Sequence, residues 1–315
     1  MATVLVTGAS GFVGRHLVDC LHESGADVRV LGRRDIHANK FTFFESNFND
    51  ENELSAATVG VDTVVHCAAR VHVMQETASD PLSEFRAFNV DATLKLATQA
   101  AKNGVKRFIF LSTIKVNGES TTNKAPFTAF DQPRPEDPYG ISKAEAEQGL
   151  IALAERTGME YVIIRPPLVY GAGVKANFAA LMGLVKKGIP LPFRMIKKNR
   201  RSMVSVVNLV DLIRVCTTHP LAKNNVFLVS DDNDVSTSEM VKLMAYSFGM
   251  RDRSIPIPPF FFEGLARLLG KKDIVERLTG SLQIDLTHTK GTLGWYPPQS
   301  IKNAFEATAN NTPIH

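Results

Sequence analysis

The stretch Thr7-Gly8-Ala9-Ser10-Gly11-Phe12-Val13-Gly14 decides how this chain is read. It follows a β-branched run, Thr3–Thr7, and opens a helical stretch, Val13–Ser24. Strand, glycine turn and helix in that order make an anion site. Glycines let the backbone turn tightly and come close to a pyrophosphate, while the helix N-terminus offers unpaired N–H groups and a partial positive charge. Gly8, Ser10, Gly11, Phe12, Val13 and Gly14 are therefore the expected contacts of a dinucleotide.

Outward from this turn, short apolar runs alternate with helical stretches. The strands expected are Thr3–Thr7, Asp27–Leu31, Phe41–Phe44, Thr63–His66, Arg107–Ser112 and Tyr161–Arg165, with helices at Val13–Ser24, Asn52–Thr58, Pro81–Lys102 and Pro138–Thr157. Asp137 as N-cap, Pro138 at the first helical position and Gly158 past the end bracket the last helix. The pattern predicts an α/β fold, a Rossmann-type doubly wound parallel sheet. After Arg165 glycines and prolines break the regularity, which predicts a smaller substrate domain interleaved with the first. A helix at Val207–Thr217 and a strand at Val226–Val229 return to the main sheet. The expected division is 1–167 plus 206–230 for the dinucleotide and 168–205 plus 231–315 for the substrate.

Composition closes off other classes. With 315 residues, 44% hydrophobic and 22% charged, the chain can bury substantial cores, so neither disorder nor a fibrous repeat fits. Cys20, Cys67 and Cys216 are too few and too far apart for a disulfide framework, which places the protein in a reducing compartment, the cytoplasm. No CxxC or HxxxH spacing occurs, so no metal is expected. No basic head precedes the first strand, and no apolar run approaches the ~20 residues of a membrane span. The net charge of +4 does not imply nucleic acid, but it hides seven basic residues and no acid between Lys186 and Arg201. That segment suits an anionic ligand or surface. The apolar stretch Pro258–Gly270 reads as core packing, with a peripheral lipid-surface or oligomer contact as the alternative.

After the second strand the sequence reads Leu31-Gly32-Arg33-Arg34. An acid there pairs with the free ribose hydroxyls of NAD, whereas arginines contact a 2′-phosphate. Arg33 and Arg34 thus favour NADP(H), NAD(H) remaining compatible, and Asp35 could pair with one of them. Tyr139-Gly140-Ile141-Ser142-Lys143 opens the capped helix, and its Tyr and Lys at i and i+4 share a helical face. An ammonium there should lower the phenol toward a useful range for proton transfer. Thr113, at the end of the fifth strand, completes a Thr-Tyr-Lys catalytic set.

With these residues in place the chain resembles the extended short-chain dehydrogenase/reductases, in the nucleotide-sugar epimerase/dehydratase family. Further matching pieces are His66-Cys67-Ala68-Ala69, Asn89-Val90, Arg165-Pro166-Pro167, Val169-Tyr170-Gly171 and Leu293-Gly294-Trp295. The resemblance implies Ala68, Ala69 and Pro166 against the cofactor and Lys143 on the nicotinamide ribose. It also implies Ser112 beside Thr113 at the substrate, and Asn177, a strand at Leu191-Pro192-Phe193, Arg201 and Arg277 around the sugar's nucleotide diphosphate. A homodimer through the Pro81–Lys102 and Pro138–Thr157 helices is a further implication.

Dehydratases of that family carry Asp-Glu after the catalytic Thr, but here Ile114-Lys115 follows Thr113, so dehydration is not expected. Epimerases retain NAD and typically have an acid where Gly32 stands. With the Ile114-Lys115-Val116-Asn117-Gly118 stretch, the resemblance points to bacterial 4-ketoreductases of O-antigen (lipopolysaccharide) synthesis. The expected reaction is NADPH-dependent reduction of the C4 keto group of a UDP-4-keto-6-deoxy-N-acetylhexosamine. The alternative is a UDP-hexose or UDP-N-acetylhexosamine 4-epimerase using the same residues; a non-enzymatic NADP(H) sensor comes third.

Overall fold

The computed structural model describes residues 1–37, 40–71, 80–262 and 272–310. Its centre is a seven-stranded, wholly parallel sheet in the order β3-β2-β1-β4-β5-β6-β9. The strands are β1 (Thr3–Thr7), β2 (Asp27–Gly32), β3 (Thr42–Glu45), β4 (Thr63–His66), β5 (Arg107–Leu111), β6 (Glu160–Arg165) and β9 (Asn225–Leu228). Parallel strands covered on both faces are apolar throughout rather than alternating. The TVVH of β4 is accordingly buried at all four positions. Chain order reverses at β1, which pairs with both β2 and β4. Ligands of open parallel sheets bind outside the carboxyl ends of the strands at such a switch point.

Helices α1 (Phe12–Glu23), α2 (Glu51–Thr58), α4 (Ala92–Lys102), α5 (Pro138–Thr157) and α7 (Val206–Thr218) cover the sheet. One core joins Leu17 and Leu21 of α1 to Leu209 and Ile213 of α7. The other joins Leu54, Leu96 and Leu150 of α2, α4 and α5. Helix α5 begins and ends as its sequence dictates: the Asp137 carboxylate accepts the Gly140 N–H at 2.7 Å, and Gly158 closes it at φ +76°.

The expected continuous helix Pro81–Lys102 is instead α3 (Pro81–Arg86) and α4 joined by a π-helical turn, Ala87–Asp91. Such bulges mark functional positions. This one lets the buried Asn89 side chain reach both the Arg70 carbonyl, at 3.1 Å, and the Ser142 hydroxyl, at 3.0 Å.

Beyond β6 lies a two-stranded parallel pair, β7 (Leu168–Tyr170) and β8 (Met203–Ser205). A separate core forms there, with Tyr170, Phe178 and Phe305 in mutual ring contact among helices α6 (Ala176–Lys186), α8 (Thr237–Ser247) and Ile301–Asn310. Leu293 and Trp295 pack instead on the sheet's core, and the Trp295 indole donates to Asp211 at 2.9 Å. Leu191-Pro192-Phe193 is not a strand. Pro192 has no N–H to give a ladder, and the Phe193 carbonyl accepts the Ile196 N–H at 3.0 Å, which closes a turn. Of the apolar stretch Pro258–Gly270, Phe260 and Phe261 are 62% and 58% exposed, and residues beyond 262 lie outside the described ones.

Candidate active site

The glycine turn is shaped by contacts that exclude any side chain. Gly8 has φ +70°, and a Cβ on it would lie 2.6 Å from the Ala68 nitrogen. A Cβ on Gly14 would lie 2.1 Å from the Gly8 carbonyl oxygen. Helix α1 therefore meets the end of β1 backbone to backbone, with the Gly11 N–H donating to Gly8 at 2.8 Å. Ser10 and Gly11 are exposed at this turn and Phe12 and Val13 half-buried. Thr7 fixes the other wall. Its hydroxyl accepts the Ala68 N–H at 3.2 Å and bonds His66 Nδ1 at 2.7 Å, while His66 Nε2 bonds Thr93 at 2.9 Å. Burial holds the His66 imidazole neutral, its pKa pushed down to about 3. Ala68 and Ala69 are half-buried beside this wall, and the cradle left open fits a dinucleotide diphosphate. Arg33 and Arg34 stand exposed just past β2, and Asp35 accepts the His37 N–H at 2.8 Å.

The elements that carry Thr113 and Tyr139 are tied to each other. Thr113 follows β5 and caps a 3₁₀ turn, Ile114–Val116, with its hydroxyl accepting the Lys115 N–H at 3.3 Å. The Lys115 ammonium pairs with Asp137, the N-cap of α5, which ties this turn to the start of the helix that bears Tyr139. Gly140 permits the approach, since a Cβ there would be 3.2 Å from the Lys115 carbonyl. Phe85 packs edge-on against the Tyr139 ring at 6.0 Å. Pro166 closes the neighbouring strand end, its carbonyl accepting the Ile114 N–H at 2.9 Å.

Lys143 is 1% exposed, with Nζ 3.9 Å from the centroid of the Phe110 ring. Burial pushes its ammonium down to about 7, against the opposing pull of Glu147 and Cys67. The Tyr139 phenol behaves contrary to the expectation drawn from the YxxxK spacing. Burial pushes it well above its ordinary value and the Asp137 carboxylate adds to the rise.

Ser112 also departs from expectation. It is 4% exposed and its hydroxyl donates to Glu147, which commits it to a buried network. Glu147, Arg165 and Asn117 form the rest of this buried network, none of which the motifs had singled out as functional. Two signals were available: Glu147 lies one turn beyond Lys143, and Arg165 ends the otherwise apolar VIIR of β6.

In the second part of the chain, Asn177 is exposed on the first turn of α6, whereas Leu191 is buried in the local core and Phe193 packs against it. Arg201 bridges to Val235 and Leu282, and its guanidinium donates to the Gly280 carbonyl at 3.3 Å. Arg277 lies on the helix Lys272–Thr279, but its side chain is outside the described ones. Among the described residues no cluster of His, Cys, Asp and Glu could hold a metal ion, and no helix is long and apolar enough to cross a membrane.

Comparison with known proteins adds to this geometry. A UDP-glucose 4-epimerase of Vibrio cholerae is 50% identical over 309 residues, covering 98% of this chain and 94% of its own. The N-acetyl-α-D-glucosaminyl-diphospho-ditrans,octacis-undecaprenol 4-epimerase of Escherichia coli O157:H7 is 27% identical over 99% of this chain and 96% of its own. Among solved structures, MoeE5 in complex with UDP-glucose and NAD superposes with a TM-score of 0.77 at 25% identity, over 99% of this chain and 98% of that one. The NAD dependent epimerase/dehydratase family matches residues 4–229. With its seven-stranded Rossmann sheet and glycine turn, the chain belongs to that family, within the extended short-chain dehydrogenase/reductases.

Proposed function

We propose that this enzyme interconverts the C4 epimers of a UDP-sugar. The carrying observation is the half-identity, over nearly the whole of both chains, with the Vibrio cholerae 4-epimerase. It favours epimerisation over the 4-ketoreduction expected from sequence. Residues 1–167 and 206–230 serve the dinucleotide in this reading, and 168–205 and 231–315 the sugar nucleotide.

Gly8, Gly11, Gly14, Ala68 and Ala69 form the cradle for the dinucleotide. A dinucleotide held there in its oxidised form would supply a hydride acceptor and a positive charge to the site. Tyr139 takes the proton of the C4 hydroxyl as that carbon is oxidised and gives it back when the sugar is reduced from its other face. Thr113 orients the C4 oxygen, and Lys143 binds the ribose and adds positive charge when protonated. These contacts act where charge develops, which is where they lower the barrier. Asn177, Phe193 and Arg201 face the nucleotide diphosphate in this proposal; Ser112 acts from behind Thr113.

The purified enzyme should interconvert UDP-glucose with UDP-galactose, or their N-acetyl forms, with no net consumption of nicotinamide. Tyr139→Phe should lose at least about 100-fold in turnover while binding dinucleotide unchanged. Stoichiometric oxidation of NADPH by a UDP-4-keto-6-deoxy sugar, with no epimerisation, would restore the reductase reading, which Arg33 and Arg34 favour.

A further inference from the structure

Two segments of the second part lie side by side. The Ile255 N–H donates to Leu191 at 2.8 Å, the Arg194 N–H donates to Ile255 at 3.3 Å, and the Arg253 guanidinium donates to the Gly188 carbonyl at 3.4 Å. The Phe193 and Phe262 rings meet at 6.2 Å. Between Lys186 and Arg201 there are seven basic residues and no acid, and Arg251 and Arg253 face only Asp252 in the adjoining segment 251–262. Together the two carry net +8 in a chain whose total is +4, which leaves −4 for everything else. Asp252 is occupied by the Ser254 N–H at 2.8 Å.

Large apolar side chains stand exposed among these charges. Ile189, Met195 and Ile255 are 42%, 44% and 43% exposed, and the outermost pair, Phe260 and Phe261, stack on each other with centroids 4.4 Å apart. Single exposed apolar residues need no explanation, but several on adjoining basic segments do. A solvated basic loop has no use for a phenylalanine pair. A second copy of this chain would bring +5 against +5 over residues 187–198 and 251–261, and lysine is depleted in protein interfaces. Phe260 and Phe261 could stack on bases, but Ile189, Met195 and Ile255, exposed on the same segments, offer nothing to them. Apolar side chains ringed by lysine and arginine match the boundary of an anionic bilayer, where rings enter the headgroup layer and cations meet lipid phosphates.

We propose that segments 187–198 and 251–261 dock the protein peripherally and reversibly on an anionic lipid bilayer. This surface adjoins the sugar-nucleotide side of the proposed site, since segment 187–198 includes Phe193, but vesicle binding is read out without turnover and so fails or holds apart from the epimerase reading. The test is sedimentation of the full-length protein with vesicles of phosphatidylcholine alone or with about 30% phosphatidylglycerol. Binding should be at least about tenfold tighter on the anionic vesicles and weaken with salt. Phe260→Ser with Phe261→Ser should lose about tenfold on those vesicles, with melting temperature and turnover in solution unchanged. Lys197→Ser with Lys198→Ser should weaken binding similarly. The proposal is overturned if the wild type stays in the supernatant, if the phenylalanine variant binds as well as wild type, or if the wild type prefers single-stranded RNA to the vesicles.

Discussion

The Glu147 carboxylate accepts the Arg165 guanidinium on both oxygens, Nε at 3.0 Å and Nη2 at 2.5 Å, with both residues under 5% exposed. A buried ion pair is tolerable only when its remaining polar atoms are satisfied. Here Ser112 donates to Glu147, and Arg165 Nη1 donates to Asn117 at 3.0 Å. The pair joins α5 to β6 one helical turn from Lys143, and its carboxylate works against the burial that discharges Lys143. Neutralising it should therefore act on both stability and chemistry.

Glu147→Gln leaves the Arg165 charge buried without its partner and should destabilise the protein by about 3–5 kcal/mol in urea denaturation. Glu147→Gln with Arg165→Met should recover much of that loss, since a well-packed apolar replacement removes the uncompensated charge. A single-variant loss below about 1 kcal/mol would show that the network contributes little.

Lys143 predicts a pH dependence of definite sign. Its folded pKa is lowered to about 7 from 10.5, so between those values the unfolded chain binds a proton that the folded chain does not. Stability from this group therefore rises with pH across that window, and the full penalty of burying the charge falls below pH 7. Lys143→Met should be inactive yet more stable than wild type at pH 6.5, by about 1–3 kcal/mol, with the advantage shrinking by pH 9.5. Urea midpoints of both proteins at the two pH values decide it.

Local signals carried much of this architecture. Asp137, Pro138 and Gly158 bracket α5 because capping is settled within a few residues, and the glycine turn is legible because its clashes are with the adjacent strand ends. What escaped depends on partners far apart in sequence. Arg165 and Glu147 meet across 18 residues from a strand and a helix, and β7 pairs with β8 across a helix and a proline-rich loop, each strand only three residues long. The π-helical turn was hidden for another reason. Ala87–Asp91 keeps helical periodicity, and only the need for Asn89 to reach Arg70 and Ser142 distinguishes it. The phenol's upward shift likewise follows from burial, which spacing does not report.

The cofactor's form turns on the end of β2. Gly32 offers no carboxylate to the ribose, and Arg33 and Arg34 stand exposed beyond it. Arg33→Ala with Arg34→Ala should weaken NADP(H) by about 10- to 100-fold while moving NAD(H) by less than about threefold, from the loss of charge-assisted phosphate contacts. Fluorescence titration of the reduced forms measures both. Equal effects on the two, or a wild type that binds NADH more tightly, would remove these arginines from cofactor choice.

Gly14 gives the sharpest packing prediction. A methyl group there would sit 2.1 Å from the Gly8 carbonyl oxygen and 2.7 Å from its carbonyl carbon, neither of which can move without unmaking the turn against Ala68. Gly14→Ala should therefore push α1 away from β1, costing about 2–4 kcal/mol and most of the dinucleotide affinity. Gly183 provides the contrast. It lies inside α6 with open space where a Cβ would go, so Gly183→Ala should stabilise by about 0.5–1 kcal/mol through helix propensity and leave dinucleotide binding untouched. Thermal melts and dinucleotide titrations of the two variants test the pair, and a Gly14→Ala protein that binds cofactor like wild type would mean that the cradle tolerates a wider turn than its contacts indicate.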